Sequence, residues 1–206
     1  LPELPEVETV RKGLNKLLNN FYIQRIDILK ERSIASLGGA KVFKNNIENC
    51  YFGNWERRGK YLIGALYTKE KISKGFLVVH LRMTGQFKLL EKQIDPCNHT
   101  RVRFFEENGK ELRFIDIRNF GQMWFVPSSK SVEEIVPGIK RLGPEPFSAD
   151  FNSSYLKEYL KKRTRSIKSA LLDQGTVAGV GNIYADETLF HAGINPKTKS
   201  GILKSS

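Results

Sequence analysis

The chain has 206 residues, and its 34 Lys and Arg residues against 22 Asp and Glu residues give a formal net charge of +12. A chain of this length buries about 70% of its unfolded surface on folding, and a hydrophobic share of 40% excludes an intrinsically disordered protein. Its two cysteines, Cys50 and Cys97, exclude a disulfide scaffold and a zinc site with four cysteine ligands in this chain. No apolar run approaches the roughly 20 residues of a membrane span. The acidic start LPELPEVETV lacks the apolar region of a signal peptide, so we expect a soluble, intracellular, basic protein.

The first 20 residues predict a helix. Pro5 suits the first helical turn, and Glu3, Glu6 and Glu8 suit the positive end of the helix dipole. Apolar residues then recur at spacings of three and four, which predicts one packed face. These residues are Val7, Val10, Leu14, Leu17 and Phe21.

Between residues 22 and 125 the pattern changes to short runs typical of strands, namely YLIGALYT, GFLVVHL, TRVRFF and ELRFIDI. Asn108 and Gly109, between the last two runs, form a dipeptide that strongly indicates a hairpin turn. Several strands separated by turns predict a β-sandwich, which the first helix would cap.

The segment 127–150 contains four prolines and two glycines, which is typical of a linker. Helical periodicity returns at 155–162, 166–172 and 182–191, and Gly193 would close the last helix. We therefore predict an α+β protein in three parts. These are a helix-capped β-sandwich domain over 1–126, a linker over 127–150 and a small helical domain over 151–206.

The positive charge is concentrated in one place. Excess charge either keeps a protein soluble or attracts an anionic partner, and composition alone does not separate nucleic acid from anionic membranes or acidic proteins. The segment 155–168, YLKEYLKKRTRSIK, holds six basic residues and one acidic residue. Solvated helix faces usually mix the two signs, so this segment favours contact with phosphate groups.

Pro2 and Glu3 allow two interpretations. A proline beside a chain start is usually of no chemical interest, and Glu3 and Glu6 also suit a helix N-terminus. If residue 1 is removed, however, Pro2 offers a secondary amine, and an α-amino group has a pKa near 8 against about 10.4 for lysine. Such an amine attacks a sugar C1′ and forms an iminium cation, beside which Glu3 and Glu6 would do acid–base work.

Three further motifs are ambiguous in the same way. The turn Gly179–Asn182 is either a tight connection between helices or a phosphate site at a helix N-terminus. Met83 in HLRMTG, and Arg118 and Phe120 in DIRNFG, are either core residues or, at exposed loop tips, a wedge. Such a wedge fills the space left by an extruded nucleotide.

Taken together, these motifs carry a resemblance. PELPEVETVRKGL, RRGKYLI, HLRMTG, DIRNFG, LGPEP and VAGVGNIYADETLFHAGINP occur in the order found in the formamidopyrimidine-DNA glycosylase family. The resemblance covers Pro2 to about Pro196, and PELPEVET distinguishes the chain from the related endonuclease VIII branch. It implies that the helical domain is a helix–two-turn–helix domain.

The resemblance also implies roles for individual residues. Four would be catalytic: Pro2 as the Schiff-base nucleophile, Glu3 as the proton donor at the sugar ring, Glu6 as a supporting carboxylate and Lys60 as a proton donor in β-elimination that also contacts phosphate. The others would contact DNA. They are the wedge residues Met83, Arg118 and Phe120, the loop residue His99, and Arg163, Lys168, Asn182 and Glu187 in the helical domain.

The chain departs from the family pattern in three places. Residue 1 is Leu where the family has a cleaved initiator Met, and we interpret it as a non-standard start codon read literally. Cys97-Asn98-His99 stands where the family usually has two histidines one residue apart, so the first DNA contact is missing and His99 keeps the second. Asn119 likewise replaces a frequent basic residue. The sequence ends at Ser206, before the family's four-cysteine zinc finger. We therefore expect no metal ligands or cofactor in this chain, a structural zinc only in the family's remaining C-terminal part, and weak, salt-dependent DNA binding.

The function implied is that of a bifunctional DNA glycosylase and abasic-site lyase for oxidised purines, such as 8-oxoguanine and formamidopyrimidines, in double-stranded DNA. No nucleotide or redox cofactor and no membrane are implied, and we expect a monomer in the bacterial cytoplasm, associated with the nucleoid. The alternative is a truncated, non-catalytic binder of damaged or abasic DNA. A free N-terminal proline separates the two.

Overall fold

The computed structural model describes residues 2–203, which divide into two compact units with the boundary between Pro137 and Gly138. The described part of the first unit contains nine strands. They are β1 (Tyr22–Ile23), β2 (Arg25–Ile28), β3 (Cys50–Arg58), β4 (Tyr61–Tyr67), β5 (Ser73–His80), β6 (Gly85–Leu90), β7 (Thr100–Phe105), β8 (Glu111–Asp116) and β9 (Gln122–Pro127). Its longer helices are α1 (Leu4–Leu17) and α2 (Gly39–Ile47).

The strands form two antiparallel sheets, one in the order β1-β3-β4-β5-β9 and the other in the order β2-β7-β8-β6. Aromatic side chains of the two sheets meet in a shared core. The ring centroids of Phe52, in the first sheet, and Phe104, in the second, lie 5.9 Å apart. Helix α1 adds Val7 and Leu14 to the same core. The predicted helix-capped β-sandwich and the α+β class are confirmed.

The predicted hairpin forms between β7 and β8. Gly109 has a φ of +91°, in the region that favours glycine. The backbone N–H of Glu106 donates to the carbonyl of Lys110 at 2.9 Å, which closes the turn. The turn residues therefore set the register of this strand pair.

The prediction of strands throughout 22–125 is wrong at α2. The segment GAKVFKNNI is helical because Phe43 and Ile47, four residues apart, both enter the core with no exposed surface. A short apolar stripe of this length does not distinguish a helix from a strand by periodicity. The predicted linker segment 127–150 contains two short helices, α3 (Val132–Ile135) and α4 (Pro137–Lys140).

The second unit contains α5 (Ser153–Leu160), α6 (Ile167–Leu172) and α7 (Asn182–His191). Asn152 and Ser166 cap the first two helices, since their side-chain oxygens accept from Tyr155 N–H at 2.9 Å and Ser169 N–H at 3.2 Å. Helix α7 has the predicted bounds. Gly193, with a φ of +64°, ends it in a Schellman motif, in which Ile194 N–H donates to Leu189 C=O at 2.9 Å.

Candidate nucleic-acid interface and catalytic residues

The candidate catalytic residues of the N-terminus lie where α1 begins. Glu3 is the N-cap residue of α1 and is 1% exposed, and Pro2 directly before it is half-buried. The backbone N–H of Glu3 donates to Oε2 of Glu6 at 2.9 Å, so Glu6 fixes the entry of the chain into the helix. The same capping box engages the buried side chain of Glu3, which accepts from the backbone N–H of Glu6.

Lys60 lies in the turn between β3 and β4 and is half-buried. Burial lowers the pKa of its ammonium group, and the nearby carboxylate of Glu3 opposes this effect by favouring the charged form. Lys60 and Glu3 are distant in sequence, but the fold places them near enough for their charges to interact.

His80 is a neighbour of this pair that the sequence analysis missed. It is the last residue of β5 and pairs with Tyr61, the residue after Lys60, with the two ring centroids 4.5 Å apart. Its Nδ1 accepts from the backbone N–H of Arg82 at 3.0 Å. Burial, followed by the charges of Arg82 and Lys60, lowers the pKa of His80 to about 3, so the imidazole is neutral at physiological pH. HLRMTG contains this histidine, but a single strand sequence does not show which residue it pairs with.

Two turns at the same end of the sandwich carry the candidate wedge. The turn 81–84 joins β5 to β6 and the turn 117–121 joins β8 to β9, so each passes from one sheet to the other. His80 pairs with Gln122, and Gly85 pairs with Asp116, which places the two turns side by side. The guanidinium of Arg82 donates to Oε1 of Gln122 at 2.7 Å and links them further.

The wedge candidates differ in exposure. Arg118 is exposed and Phe120 is 41% exposed, whereas Met83 is half-buried. The guanidinium carbons of Arg118 and Arg32 lie 5.2 Å and 5.5 Å from the centroid of the Phe120 ring. The Phe120 ring is therefore partly exposed and is held by two arginine side chains, so it is available to contact a partner.

Asn119 has a structural reason to stand between Arg118 and Phe120. Its φ of +55° lies in the left-handed region, which asparagine tolerates better than most residues. Its Oδ1 accepts from the hydroxyl of the buried Ser33 at 3.3 Å. The residue that replaces the family's basic side chain therefore anchors the turn to the body of the unit.

The helical unit holds the remaining candidates. Asn182 is exposed at the first position of α7, after Gly179 with its φ of +89°. The side chain of Gln174 fixes this turn, because its Oε1 accepts from Gly179 N–H at 2.9 Å and its Nε2 donates to Val180 C=O at 2.8 Å. The turn is thus held in one conformation at a helix N-terminus, the geometry that binds phosphate groups. Gln174 was missed because it lies outside the glycine motif.

Three charged candidates of the helical unit have partners within it. The exposed Arg163 donates through Nε to Tyr159 C=O at 2.7 Å. The ammonium group of Lys168 donates to the Asp186 carboxylate at 2.8 Å. Glu187 lies 3.9 Å from Nε2 of His191 on the surface of α7. The basic segment 155–168 therefore presents its charge partly paired.

Residues 2–203 contain no group of three or more His, Cys, Asp or Glu side chains that could hold a metal ion. Cys50 is buried and Cys97 is exposed. Residues 2–203 therefore do not fit a zinc ion. None of the helices among them has the length and apolar composition of a membrane-spanning segment.

Comparison with known proteins places the chain in a family. The family model described as "Formamidopyrimidine-DNA glycosylase N-terminal domain" matches residues 1–123, and the "Formamidopyrimidine-DNA glycosylase H2TH domain" matches residues 142–206. A formamidopyrimidine-DNA glycosylase of Prochlorococcus marinus strain NATL1A is 81% identical over 206 residues, which are all of this chain and 73% of that protein. The same-named protein of strain MIT 9211 is 61% identical and covers 98% of this chain and 72% of its own length.

Solved structures agree. A structure of MutM in complex with DNA containing carbocyclic 8-oxo-G has a TM-score of 0.89 at 33% identity and covers 99% of this chain and 73% of its own. A complex of the Lactococcus lactis Fpg with DNA containing an abasic site has a TM-score of 0.87 at 33% identity and covers 98% of this chain and 71% of its own. The chain therefore belongs to the formamidopyrimidine-DNA glycosylase family.

Proposed function

We propose that this chain is a DNA-repair glycosylase that excises oxidised purines, such as 8-oxoguanine and formamidopyrimidines, from double-stranded DNA and then cleaves the abasic site. The observation that carries the proposal is the buried carboxylate of Glu3, which directly follows Pro2 in the chain and lies near enough to the ammonium group of Lys60 for the two charges to interact. The relatives that crystallised with DNA containing 8-oxoguanine analogues or abasic sites support this substrate class.

The proposed reaction begins with the nitrogen of Pro2, which is a nucleophile only as a free secondary amine. It attacks C1′ of the damaged nucleotide, and the bond between C1′ and the base breaks with its electrons and a proton going to the base. Glu3 protonates the ring oxygen, the sugar opens and an iminium forms between Pro2 and C1′. Loss of a proton from C2′ then expels the 3′ phosphate, which is β-elimination.

Lys60 and the wedge have supporting roles in this proposal. Lys60, whose pKa is lowered by burial, holds a backbone phosphate and donates a proton during elimination. Phe120, Arg118 and Met83 fill the space left by the extruded nucleotide and so offset the cost of unstacking it. In the helical unit, the N-terminus of α7 at Asn182 would bind a phosphate.

An excision assay tests the proposal. The form that begins at Pro2 is expected to release 8-oxoguanine from duplex DNA and to nick the strand, with no release of guanine from a matched undamaged duplex. Glu3→Gln should lower the rate by about 10²–10⁴, the usual range for a general acid. Glu91→Gln is the matched control, because that exposed carboxylate pairs with Lys110 at 3.5 Å and follows the end of β6 that lies away from the turn 81–84. Binding of abasic duplex without release of base would instead support the non-catalytic binder.

The salt dependence of binding separates charged from neutral phosphate contacts. Arg163→Ala is expected to reduce the slope of log affinity against log salt by about 0.9, because one ionic contact is lost. Asn182→Ala should weaken binding with little change in slope, because the asparagine is neutral. The measurement is a fluorescence-anisotropy titration at several salt concentrations.

Lys130→Ala serves as the control for loss of one surface cation. Lys130 is ion-paired with Glu134 at 3.3 Å and follows the end of β9 that lies away from the wedge. If Lys130→Ala changed the slope as much as Arg163→Ala, the effect would be one of net charge, and the proposed contact at Arg163 would be wrong.

A further inference from the structure

Asp116, the last residue of β8, is a carboxylate with no exposed surface that touches two turns at once. Its Oδ2 accepts from the backbone N–H of Gly121 at 2.7 Å, at the end of the turn 117–121. Its Oδ1 accepts from the hydroxyl of Thr84, in the turn that carries Met83. Thr84 Oγ1 in turn accepts from the backbone N–H of Arg118 at 3.0 Å. One carboxylate therefore connects the two turns of the wedge.

Gly121 allows this close approach. A Cβ atom built on Gly121 would lie 2.5 Å from Cζ of Phe114 and 3.1 Å from Oδ2 of Asp116. Any side chain at this position would push the turn away from the carboxylate. The glycine of DIRNFG is thus needed for the N–H of residue 121 to reach Asp116.

Arg101 joins a third turn to the first two. It lies in β7 where the pairing with β8 shifts register between Thr100 and Val102, a bulge that redirects its side chain. The guanidinium is buried, with 6% of the residue exposed. Its Nε, Nη1 and Nη2 donate to three backbone carbonyls, those of Asp116 at 2.7 Å, Asn98 at 3.1 Å and Ile117 at 3.3 Å. The backbone N–H of Asp116 also donates to His99 C=O at 2.9 Å.

We propose that Asp116 and Arg101 are positioning residues that hold the turns 81–84, 97–99 and 117–121 in one arrangement before DNA binds. The inference rests on the proposed function, since these turns carry Met83, His99, Arg118 and Phe120. Surface turns of this length lose substantial conformational entropy when they are ordered, and hydrogen bonds to buried charged groups offset that loss. Preorganised turns insert the wedge without first having to be ordered, so the two residues accelerate extrusion of the nucleotide and not the chemistry at C1′.

The test uses Asp116→Asn, Arg101→Met and the milder pair Thr84→Val and Thr84→Ser. Thr84→Val keeps the shape of the side chain but removes the hydroxyl that forms hydrogen bonds with both Asp116 and Arg118. Thr84→Ser keeps the hydroxyl. Asp27→Asn and Arg25→Met are the matched controls, because these two residues pair with each other on β2 of the same sheet. Amide hydrogen exchange of Arg118 and Gly121 is measured in the free proteins. Single-turnover base excision is compared with β-elimination at a preformed abasic site in single-stranded DNA.

Loss of one hydrogen bond to a charged group should raise exchange at these amides about tenfold or more in Asp116→Asn, Arg101→Met and Thr84→Val. Excision from duplex should fall by a similar factor, elimination in single-stranded DNA should stay unchanged, and Thr84→Ser should behave as the unaltered protein. Unchanged exchange in folded Thr84→Val and Arg101→Met would overturn the inference, as would equal loss of excision and elimination. Absence of excision by the unaltered protein would contradict the proposed function alone, because exchange still decides whether these residues hold the turns.

Discussion

Blocking the nitrogen of Pro2 should reduce the borohydride-trapped adduct with abasic-site DNA to background. An acylated proline nitrogen, whether through an acetyl group or a retained Leu1, is an amide whose lone pair is delocalised and does not attack C1′. Pro2→Gly keeps a free α-amino group but makes it primary and removes the ring, and should lower the adduct yield about tenfold or more. The adduct is measured as the fraction of labelled DNA that migrates with protein in a denaturing gel.

Lys60→Met is the control for this series. Lys60 is the other amine at the site, and because burial lowers its pKa it carries more neutral amine than an ordinary lysine. If Pro2 is the nucleophile, Lys60→Met should slow strand cleavage but still form the adduct. An adduct that persists with a blocked N-terminus and disappears in Lys60→Met would assign the nucleophile to Lys60.

Replacing Phe120 by alanine should leave the stability of the protein nearly unchanged while excision from duplex DNA falls. Phe120 is 41% exposed, so it is not one of the buried core residues, and the guanidinium carbons of Arg118 and Arg32 lie 5.2 Å and 5.5 Å from the centroid of its ring. Surface truncations of this kind change stability by about 0.5 kcal/mol or less. Binding to DNA with a preformed abasic site should persist, because no base has to be unstacked. Thermal unfolding and single-turnover excision are the measurements.

Phe114→Ala is the matched control, from the strand that leads into the same turn. Phe114 is fully buried, and the centroid of its ring lies 5.4 Å from the ring centroid of Phe87. Its truncation should cost about 3–5 kcal/mol of unfolding free energy. A comparable loss of stability in Phe120→Ala would return Phe120 to a packing role and remove it from the wedge.

Local signals in the sequence determined several elements without help from the rest of the molecule. The first-turn proline and apolar stripe predicted α1, Asn108 and Gly109 predicted the hairpin, and Gly193 predicted the end of α7. Each of these depends on backbone preferences or on contacts within a few residues, which is why sequence reading found them. The ordered motifs likewise indicated the family and the candidate residues, from Pro2 to Glu187.

Which of these residues come together depends on the folding of the whole chain. Strand pairing places His80 opposite Tyr61, the neighbour of Lys60. Packing of α1 brings Glu3 near enough to the same lysine for the two charges to interact. The bulge at Arg101 and the carboxylate of Asp116 join turns that are separated by many residues along the chain. Such contacts depend on register and on loop closure over long sequence separations, and these are properties of the folded chain that no local pattern encodes.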